Sequence, residues 1–193
     1  MQSKEDLKDF VISLLKDNLP ENYSYHNHVH TLYVMQTAVE IGINEECTEK
    51  ELELLSVAAL WHDTGYIKTY KNHEEESCKL ARHYLPGFGF SPDDIENVCG
   101  MIMATRIPQS PKNKLEEILA DADLEYLGTK IFGSSADDLF RELRFVNPSL
   151  TQEQWIQTQI LFLRKHQYFT RFCKENKAPV KMNYLEQLEQ GVI

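Results

Sequence analysis

Apolar residues recur three or four positions apart along most of the chain, which is the spacing of one face of an α-helix. Several of these runs begin at a capping signal, in which Ser, Thr or Asn precedes an acidic or amide residue by three positions. Such starts stand at Ser3, Thr48, Asn72, Asn113 and Thr151, and Ser91 begins another helix with Pro92 in its first turn. No segment alternates apolar and polar residues long enough to predict a sheet. The pattern predicts an all-α fold that closes in a short helix around residues 179–188.

The most apolar segment of the chain, residues 54–61, ends in His62-Asp63. It belongs to a helix that starts at Thr48 and closes near Gly65, and because that helix is apolar nearly all round toward its end, it should lie centrally. A carboxylate and an imidazole buried there would be costly without a cation or a hydrogen-bond network. The dyad therefore predicts a metal site. Trp61, Phe162 and Phe169 are interpreted as core aromatics.

Length and charge limit the class of protein. With 193 residues, 42% of them hydrophobic, the chain can bury one sizeable core, so we expect a single domain over residues 1–193. Twenty Lys and Arg against thirty Asp and Glu give a formal net charge of -10, which repels nucleic acid and anionic membranes. No apolar run approaches the ~20 residues of a membrane helix, and the first residues do not form a signal peptide. We expect a cytoplasmic protein with no nucleic-acid polymer or membrane as partner.

Further segments carry side chains that can bind a divalent metal. His26 and His30 are four residues apart, so they share a face if their segment is helical, whereas His28 would point away. A helix is expected from about residue 28 to residue 41. The remaining candidates are His73, Glu74, Asp121 and Asp123. Two imidazoles and two carboxylates form a mixed nitrogen and oxygen site that suits Mn, Fe, Co, Ni or Zn, with Mg also open.

Together, these residues resemble the HD superfamily of metal-dependent phosphohydrolases, whose signature is a histidine, then His-Asp, then a distant aspartate. The likeness lies in Tyr25-His26-Asn27-x-x-His30-Thr31, in Ala58 to Tyr66, and in Ala122-Asp123-Leu124 through Leu127-Gly128. It covers about residues 22–130 and implies a helical bundle of the HD-domain type, with the helices of residues 134–190 packed on it. It also implies that the metal ligands are His30, His62, Asp63 and Asp123.

The resemblance leaves two questions about the ligands open. Asp121 is the rival of Asp123, and we favour Asp123 because its interval to Gly128 fits the family pattern better. His73, with Glu74, would bind a second metal or lie around the first. Many members of the family have a histidine near the end of the helix where this chain has Thr105. One metal ion is therefore the expectation, and a second remains open.

Asn27, Arg106 and Lys177 are the candidates for binding substrate, with Arg171 as the alternative to Lys177. Residues 164–181 carry six Lys and Arg against one Glu, which we interpret mainly as a solvated face. In the alternative interpretation, Lys177 or Arg171 lines the pocket and binds substrate phosphate, as Arg106 would from the end of its own helix. Asn27 would orient the substrate or the ring of His26.

The main functional hypothesis is a phosphomonoesterase or phosphodiesterase that acts on a nucleotide or a small phosphorylated metabolite. A metal-activated water would attack phosphorus, and His26 would donate a proton to the leaving oxygen. The alternative is a metal-containing sensor or regulatory module that binds a nucleotide without turnover. A helical interaction protein would give no reason for His62-Asp63 at the end of an apolar helix. The oligomeric state is left open.

Overall fold

The computed structural model describes residues 6–192, which contain α-helices and short 3-10 turns but no β-strand. The α-helices of these residues are α1 (Leu7–Asn18), α2 (His28–Asn44), α3 (Glu49–Trp61), α4 (His73–Tyr84), α5 (Pro92–Ala104), α6 (Lys114–Asp123), α7 (Phe132–Val146), α8 (Gln152–Lys165), α9 (Arg171–Asn176) and α10 (Ala178–Glu189). Turns of 3-10 helix at Thr64–Ile67, Leu85–Phe88 and Glu125–Gly128 follow α3, α4 and α6. The expected all-α class is confirmed. Among the described helices, none is long and apolar enough to cross a membrane.

Side chains at the caps determine where several helices begin. Thr48, Ser91 and Thr151 each form a complete capping box, in which cap and third residue exchange side-chain to backbone hydrogen bonds. Asn72 precedes α4 as expected, but it has a left-handed backbone (φ 57°) and its side chain makes no capping hydrogen bond. The expected cap Ser3 lies outside the described residues. Local capping chemistry thus accounts for the starts of α3, α5 and α8.

Helix α3 lies in the centre of the main hydrophobic core, as its apolar sequence predicts. Seven of its residues between Leu54 and Trp61 are buried, and the helix packs against α2, α5 and α6. This packing brings the end of α3 close to the first turn of α2 and the last turn of α6. The polar residues His62 and Asp63, which follow α3 directly, are therefore buried where three helices meet.

A second hydrophobic cluster attaches the C-terminal helices to this core. Its members on α7, α8 and α10 include Phe132, Leu163 and Leu185, which pack with Leu127 of the turn after α6. Gly128 permits this arrangement, because a Cβ atom there would lie 2.5 Å from the carbonyl oxygen of Lys177. As a result, the start of α10 lies against the turn after α6, and α7 contacts the same turn.

Candidate metal centre

Four side chains that the sequence marks as metal ligands converge at one point. His30 comes from the first turn of α2, His62 and Asp63 follow α3, and Asp123 ends α6. His30 Nε2 lies 3.1 Å from Asp123 Oδ1 and 3.5 Å from Asp63 Oδ2. His62 Nε2 lies 3.2 Å from Asp63 Oδ2 and 3.5 Å from Asp123 Oδ1. His30, His62 and Asp123 therefore offer three donor atoms within 4.8 Å of one another that could hold a metal ion, and Asp63 Oδ2 lies beside both imidazoles.

The spacing and the unpaired atoms of this cluster fit one divalent ion. Donor atoms that bind one ion at about 2.0–2.2 Å lie roughly 3.0–3.5 Å from each other, which matches the distances above. His62 Nε2 and Asp63 Oδ2 are buried, and although they are at ion-pair distance, neither has a hydrogen-bond partner. Buried polar atoms normally have one. A cation coordinated by both would satisfy two atoms that the protein leaves unpaired.

Backbone contacts orient the His62-Asp63 dyad. His62 Nδ1 lies 2.7 Å from the carbonyl oxygen of Ala59, so Nδ1–H donates there and Nε2 is left free to bind a metal. The Ser77 hydroxyl on α4 donates to the carbonyl oxygen of His62 at 2.6 Å and accepts from the Gly65 N–H at 2.8 Å. A Cβ atom at Gly65 would lie 1.8 Å from the carbonyl oxygen of His73. The absence of a side chain at Gly65 therefore allows α4 to approach closely. Gly65 does not end α3, which ends at Trp61.

The electrostatics of the cluster are those of a cation site. Burial would raise the pKa values of Asp63 and Asp123, but the neighbouring imidazoles hold both well below the usual range. Burial would lower the pKa of His62, but Asp63 and Asp123 raise it well above the usual range. The carboxylates and imidazoles of the cluster thus stabilise each other's charged forms, and a bound divalent cation would stabilise the two carboxylates directly.

His73 and Glu74 lie beside this cluster, in the first turn of α4. His73 Nε2 is 3.4 Å from Asp63 Oδ1 and 3.8 Å from Glu74 Oε1. The His73 ring stacks on Tyr66, with the ring centroids 3.9 Å apart. Glu74 is buried and forms an ion pair with Arg106 at 3.4 Å. These positions allow either a second metal ion or contacts around the first, as the sequence leaves open.

His26 lies outside helix α2, so it does not share a helical face with His30. The helix begins at His28 because the Asn27 side chain accepts a hydrogen bond from the N–H two residues on and caps the helix. The rings of His26 and His30 still face one another, with their centroids 6.0 Å apart. His28 is half-buried and is not part of the cluster. The turn before α2, and not a shared helical face, thus places His26 beside His30.

Glu142 of α7 is a site residue that the sequence did not indicate. Its carboxylate is fully buried and accepts hydrogen bonds from the backbone N–H groups of Tyr25 (2.9 Å) and His26 (3.0 Å) and from His26 Nδ1 (2.5 Å). Burial would lower the pKa of His26, but the hydrogen bond to Glu142 and the nearby carboxylates raise it above 6.5. Glu142 lies 116 residues from His26 in an amphipathic helix with no motif around it. Only the packing of α7 reveals this contact.

Asp121 belongs to a different hydrogen-bond network from Asp123. Its carboxylate accepts hydrogen bonds from the backbone N–H groups of Phe169 (2.9 Å) and Thr170 (2.8 Å) and from the Thr170 hydroxyl (2.7 Å). Asp121 thereby ties the segment between α8 and α9 to α6. Asp123, and not Asp121, lies with His30 and His62 in the group that could hold a metal ion.

Two of the three residues expected to bind substrate are used elsewhere in the fold. The Asn27 side chain caps α2 and also donates to the carbonyl oxygen of Ser24 at 2.9 Å. Lys177 forms an ion pair with Glu125 at the start of α10. Neither side chain lines the cavity that contains the candidate ligands. In this structure, Asn27 caps a helix and Lys177 forms an ion pair, and their contact with substrate stays a prediction.

Arg106, the third of these residues, lies at the edge of the site. It forms ion pairs with Glu74 at 3.4 Å and Glu75 at 3.1 Å. Its sequence neighbours Thr105 and Ile107 line the cavity, but Arg106 does not. Its contact with the site is therefore through Glu74.

A cavity of about 440 Å³ opens from the cluster. Its polar end is lined by His26, Asp63, His73, Glu74 and Asp123. The rest lies between α7 and α8, where the wall includes Phe132, Leu139, Leu143, Trp155, Phe162 and Leu163. Phe162, interpreted from the sequence as a core residue, thus lines a cavity. The candidate metal centre is one wall of a chamber that is otherwise largely apolar.

The fold is shared with several solved bacterial structures. A predicted HD superfamily hydrolase from an uncultured Thermotogales bacterium is 20% identical, with a TM-score of 0.65 over 95% of this chain and 90% of that one. Bacillus subtilis YpgQ, solved in complex with ADP, is 19% identical, with a TM-score of 0.66 over 97% and 94%. A Lactobacillus plantarum protein is 15% identical, with a TM-score of 0.67 over 97% and 95%. At these identities the likeness is one of fold.

The HD domain family matches residues 28–125, just over half of the chain. This match includes His30, His62, Asp63 and Asp123, the four side chains of the cluster. The chain therefore belongs to the HD domain family, and with it to a superfamily of metal-dependent hydrolases. No curated protein matches the sequence.

Proposed function

We propose that this protein is a metal-dependent phosphohydrolase that cleaves a phosphoester of a nucleotide or of another small phosphorylated metabolite. The observation that carries the proposal is the cluster of His30, His62, Asp63 and Asp123 beside a cavity that Asp63 and Asp123 line, with His62 Nε2 and Asp63 Oδ2 buried and unpaired. The cavity has the size of small-molecule sites, which are roughly 300–1,000 Å³.

These four side chains would hold the ion. A divalent cation bound there would supply an activated water and neutralise negative charge on a phosphoryl group. The nitrogen and oxygen donors of these four side chains suit Mn, Fe, Co, Ni or Zn, and the two carboxylates also accept Mg. If two ions are bound, His73 and Glu74 would serve the second, since His73 Nε2 lies 3.4 Å from Asp63 Oδ1.

His26 is the proposed general acid. Its Nδ1 proton is held by Glu142, so the ring presents Nε2, which is 3.3 Å from the Tyr66 hydroxyl, at the cavity wall. Its raised pKa increases the protonated fraction of the ring relative to a free imidazole, which favours proton donation to a leaving oxygen. Glu142 stabilises that imidazolium and orients it.

A second candidate function is a nucleotide-binding regulatory module without turnover. The complex of YpgQ with ADP supports a nucleotide as ligand for this fold, and binding uses the same polar wall as hydrolysis would. Retention of every candidate ligand in one cluster favours the enzyme, because the cluster contains a free imidazole nitrogen and a free carboxylate oxygen.

The test joins metal analysis to a phosphatase screen. Protein purified without a chelator is analysed for bound metal, and phosphate release is then measured over nucleotides, cyclic nucleotides and small phosphate esters with added Mn, Co or Mg. We expect bound metal and turnover of at least one ester. Tight nucleotide binding without turnover would favour the regulatory module. A protein that binds neither metal nor phosphoester would overturn both functions.

A further inference from the structure

The cavity beside the candidate metal centre is polar at one end only. Histidines, carboxylates and Tyr66, whose hydroxyl lies 3.3 Å from His26 Nε2, form that end, whereas α7 and α8 contribute mostly aliphatic and aromatic side chains to the remainder. Of the α7 and α8 residues in this wall, only Thr158, Gln159 and the indole of Trp155 carry polar groups, and the Thr158 hydroxyl already donates to the carbonyl oxygen of Gln154. The part of a ligand that lies there would meet few hydrogen-bond partners.

The same wall lacks positive side chains. Within the described residues, no lysine or arginine lines the cavity, and Arg106 at its edge is paired with two glutamates. A nucleoside diphosphate brings two phosphate groups, sugar hydroxyls and the polar edges of a base. Each polar group buried without a partner costs binding free energy. A single phosphate, in contrast, would find its partners at the candidate metal centre and at His26.

We propose that the substrate is a phosphate monoester of an apolar alcohol or phenol, whose organic group occupies the space between α7 and α8. Its phosphate then lies at the polar end of the cavity. This assignment rests on the proposed phosphohydrolase function and specifies its substrate class. The continuity of one cavity from Asp63 and Asp123 to Leu139 and Phe162 carries it, because one ligand of that shape contacts both ends.

Neutral alcohols test the apolar part of the site without metal or turnover. Trp155 is in the cavity wall, while the chain's other tryptophan, Trp61, is fully buried in the main core. Titration of metal-free protein with primary alcohols from ethanol to hexanol should give a saturable change in fluorescence that Trp155→Phe removes. We expect Kd to fall roughly fourfold with each methylene group, as burial of apolar area requires. Adenosine should bind more weakly than hexanol.

Ester hydrolysis tests the whole assignment. With the activating metal, kcat/KM should rise from methyl to hexyl phosphate by roughly fourfold per methylene group, and hexyl and phenyl phosphate should exceed AMP and ADP. Equal rates along the alkyl series, or a preference for AMP or ADP, would overturn the apolar substrate class while leaving the phosphohydrolase intact. Alcohol binding without hydrolysis of any ester would overturn the proposed function and, with it, the assignment of an ester.

Variants of cavity residues test where the apolar ligand binds. Leu139→Asn places an amide in the cavity wall and should weaken hexanol binding about tenfold. Ala136→Leu fills the same space with an apolar side chain and should weaken hexanol binding as well. The test therefore does not depend on the folding of a single variant. Leu161→Asn is the matched control on α8, because Leu161 is 53% exposed. Circular dichroism checks the fold of each. Unchanged hexanol binding in both cavity variants would overturn the assignment.

Discussion

Glu142 holds His26 through two hydrogen bonds, one from the backbone N–H to Oε2 at 3.0 Å and one from the imidazole Nδ1 to Oε1 at 2.5 Å. The carboxylate is fully buried and joins α7 to the turn before α2. An imidazole that donates through Nδ1 presents Nε2 in a fixed direction. Glu142 therefore orients the proposed general acid and contributes to its raised pKa.

Replacement of His26 by alanine should lower turnover without releasing metal. The ring lines the cavity but is not one of the four converging ligands, so we expect kcat to fall by ~10²–10⁴ with unchanged metal content. Metal analysis and steady-state rates on the best substrate measure the two effects. His28→Ala is the matched control and should change neither. An unchanged rate in His26→Ala would remove His26 as the acid.

Glu142→Gln should move the pH dependence of activity. A general acid is active while protonated, so the rate falls as pH rises through the pKa of His26. Without the carboxylate the pKa of His26 drops, and the descending limb of the pH–rate profile should shift to lower pH. If Glu142 had a purely structural role, its replacement would lower the rate equally at all pH values. His26→Ala, which lacks the titrating ring, supplies the reference profile.

The same pair makes a pH-dependent contribution to stability in the metal-free protein. Because the folded pKa of His26 lies above 6.5, the imidazolium contribution is complete below that pH and is lost as pH rises through the folded pKa. The folded pKa of Glu142 is held below 4.5, so its contribution is present above that pH and is lost as pH falls through the folded pKa. The difference in free energy of unfolding between wild type and Glu142→Gln should therefore be largest between pH 4.5 and 6.5. Urea denaturation at several pH values measures this difference.

Local signals predicted much of the fold. Capping boxes at Thr48 and Thr151 depend on residues three positions apart, so the starts of α3 and α8 could be predicted and are confirmed. The apolar run before His62 likewise predicted a central helix. The short helix α9 was not expected, because six residues contain too little periodicity to stand out.

The site was less predictable wherever it depends on how distant helices pack. The spacing of His-Asp and the downstream aspartate indicated a set of metal ligands. It did not reveal Glu142, which reaches His26 because α7 packs against the turn after α6. Phe162 could not be distinguished from a core residue, since aromatic side chains that line a cavity and those in a core follow the same helical pattern. Asn27 was assigned to substrate although a residue of its type before a helix favours a cap.

Asp63→Ala should remove bound metal and activity together. Its Oδ2 lies within 3.5 Å of both His30 Nε2 and His62 Nε2, so the carboxylate supplies charge at the centre of the cluster. Without it, the remaining donors include one carboxylate in place of two. Metal content after dialysis and the rate on the best substrate measure the loss. Stoichiometric metal with full turnover would mean that the cluster is not the metal site.

Asp121→Asn and Asp123→Asn form a matched pair on one helix. Asp121 accepts hydrogen bonds from Phe169 and Thr170, so its substitution should lower the free energy of unfolding by about 1–3 kcal/mol and leave metal content unchanged. Asp123→Asn should reduce metal affinity, because its Oδ1 lies 3.1 Å from His30 Nε2. Calorimetric metal titration and denaturant unfolding separate the two effects. Reversed results would make Asp121 the ligand.

Gly65→Ala should destabilise the protein and weaken the site at the same time. An added Cβ atom would lie 1.8 Å from the carbonyl oxygen of His73 and 2.8 Å from the Ser77 nitrogen, both backbone atoms of α4, so the helix has to move away from the dyad. We expect a loss of about 1–3 kcal/mol in unfolding free energy and weaker metal binding. Gly133→Ala is the control, because a Cβ atom there meets nothing within 4 Å, and alanine in a helix should stabilise by about 0.5–1 kcal/mol. If Gly65→Ala retained wild-type stability and metal affinity, the close approach of α4 would not be what positions His62 and Asp63.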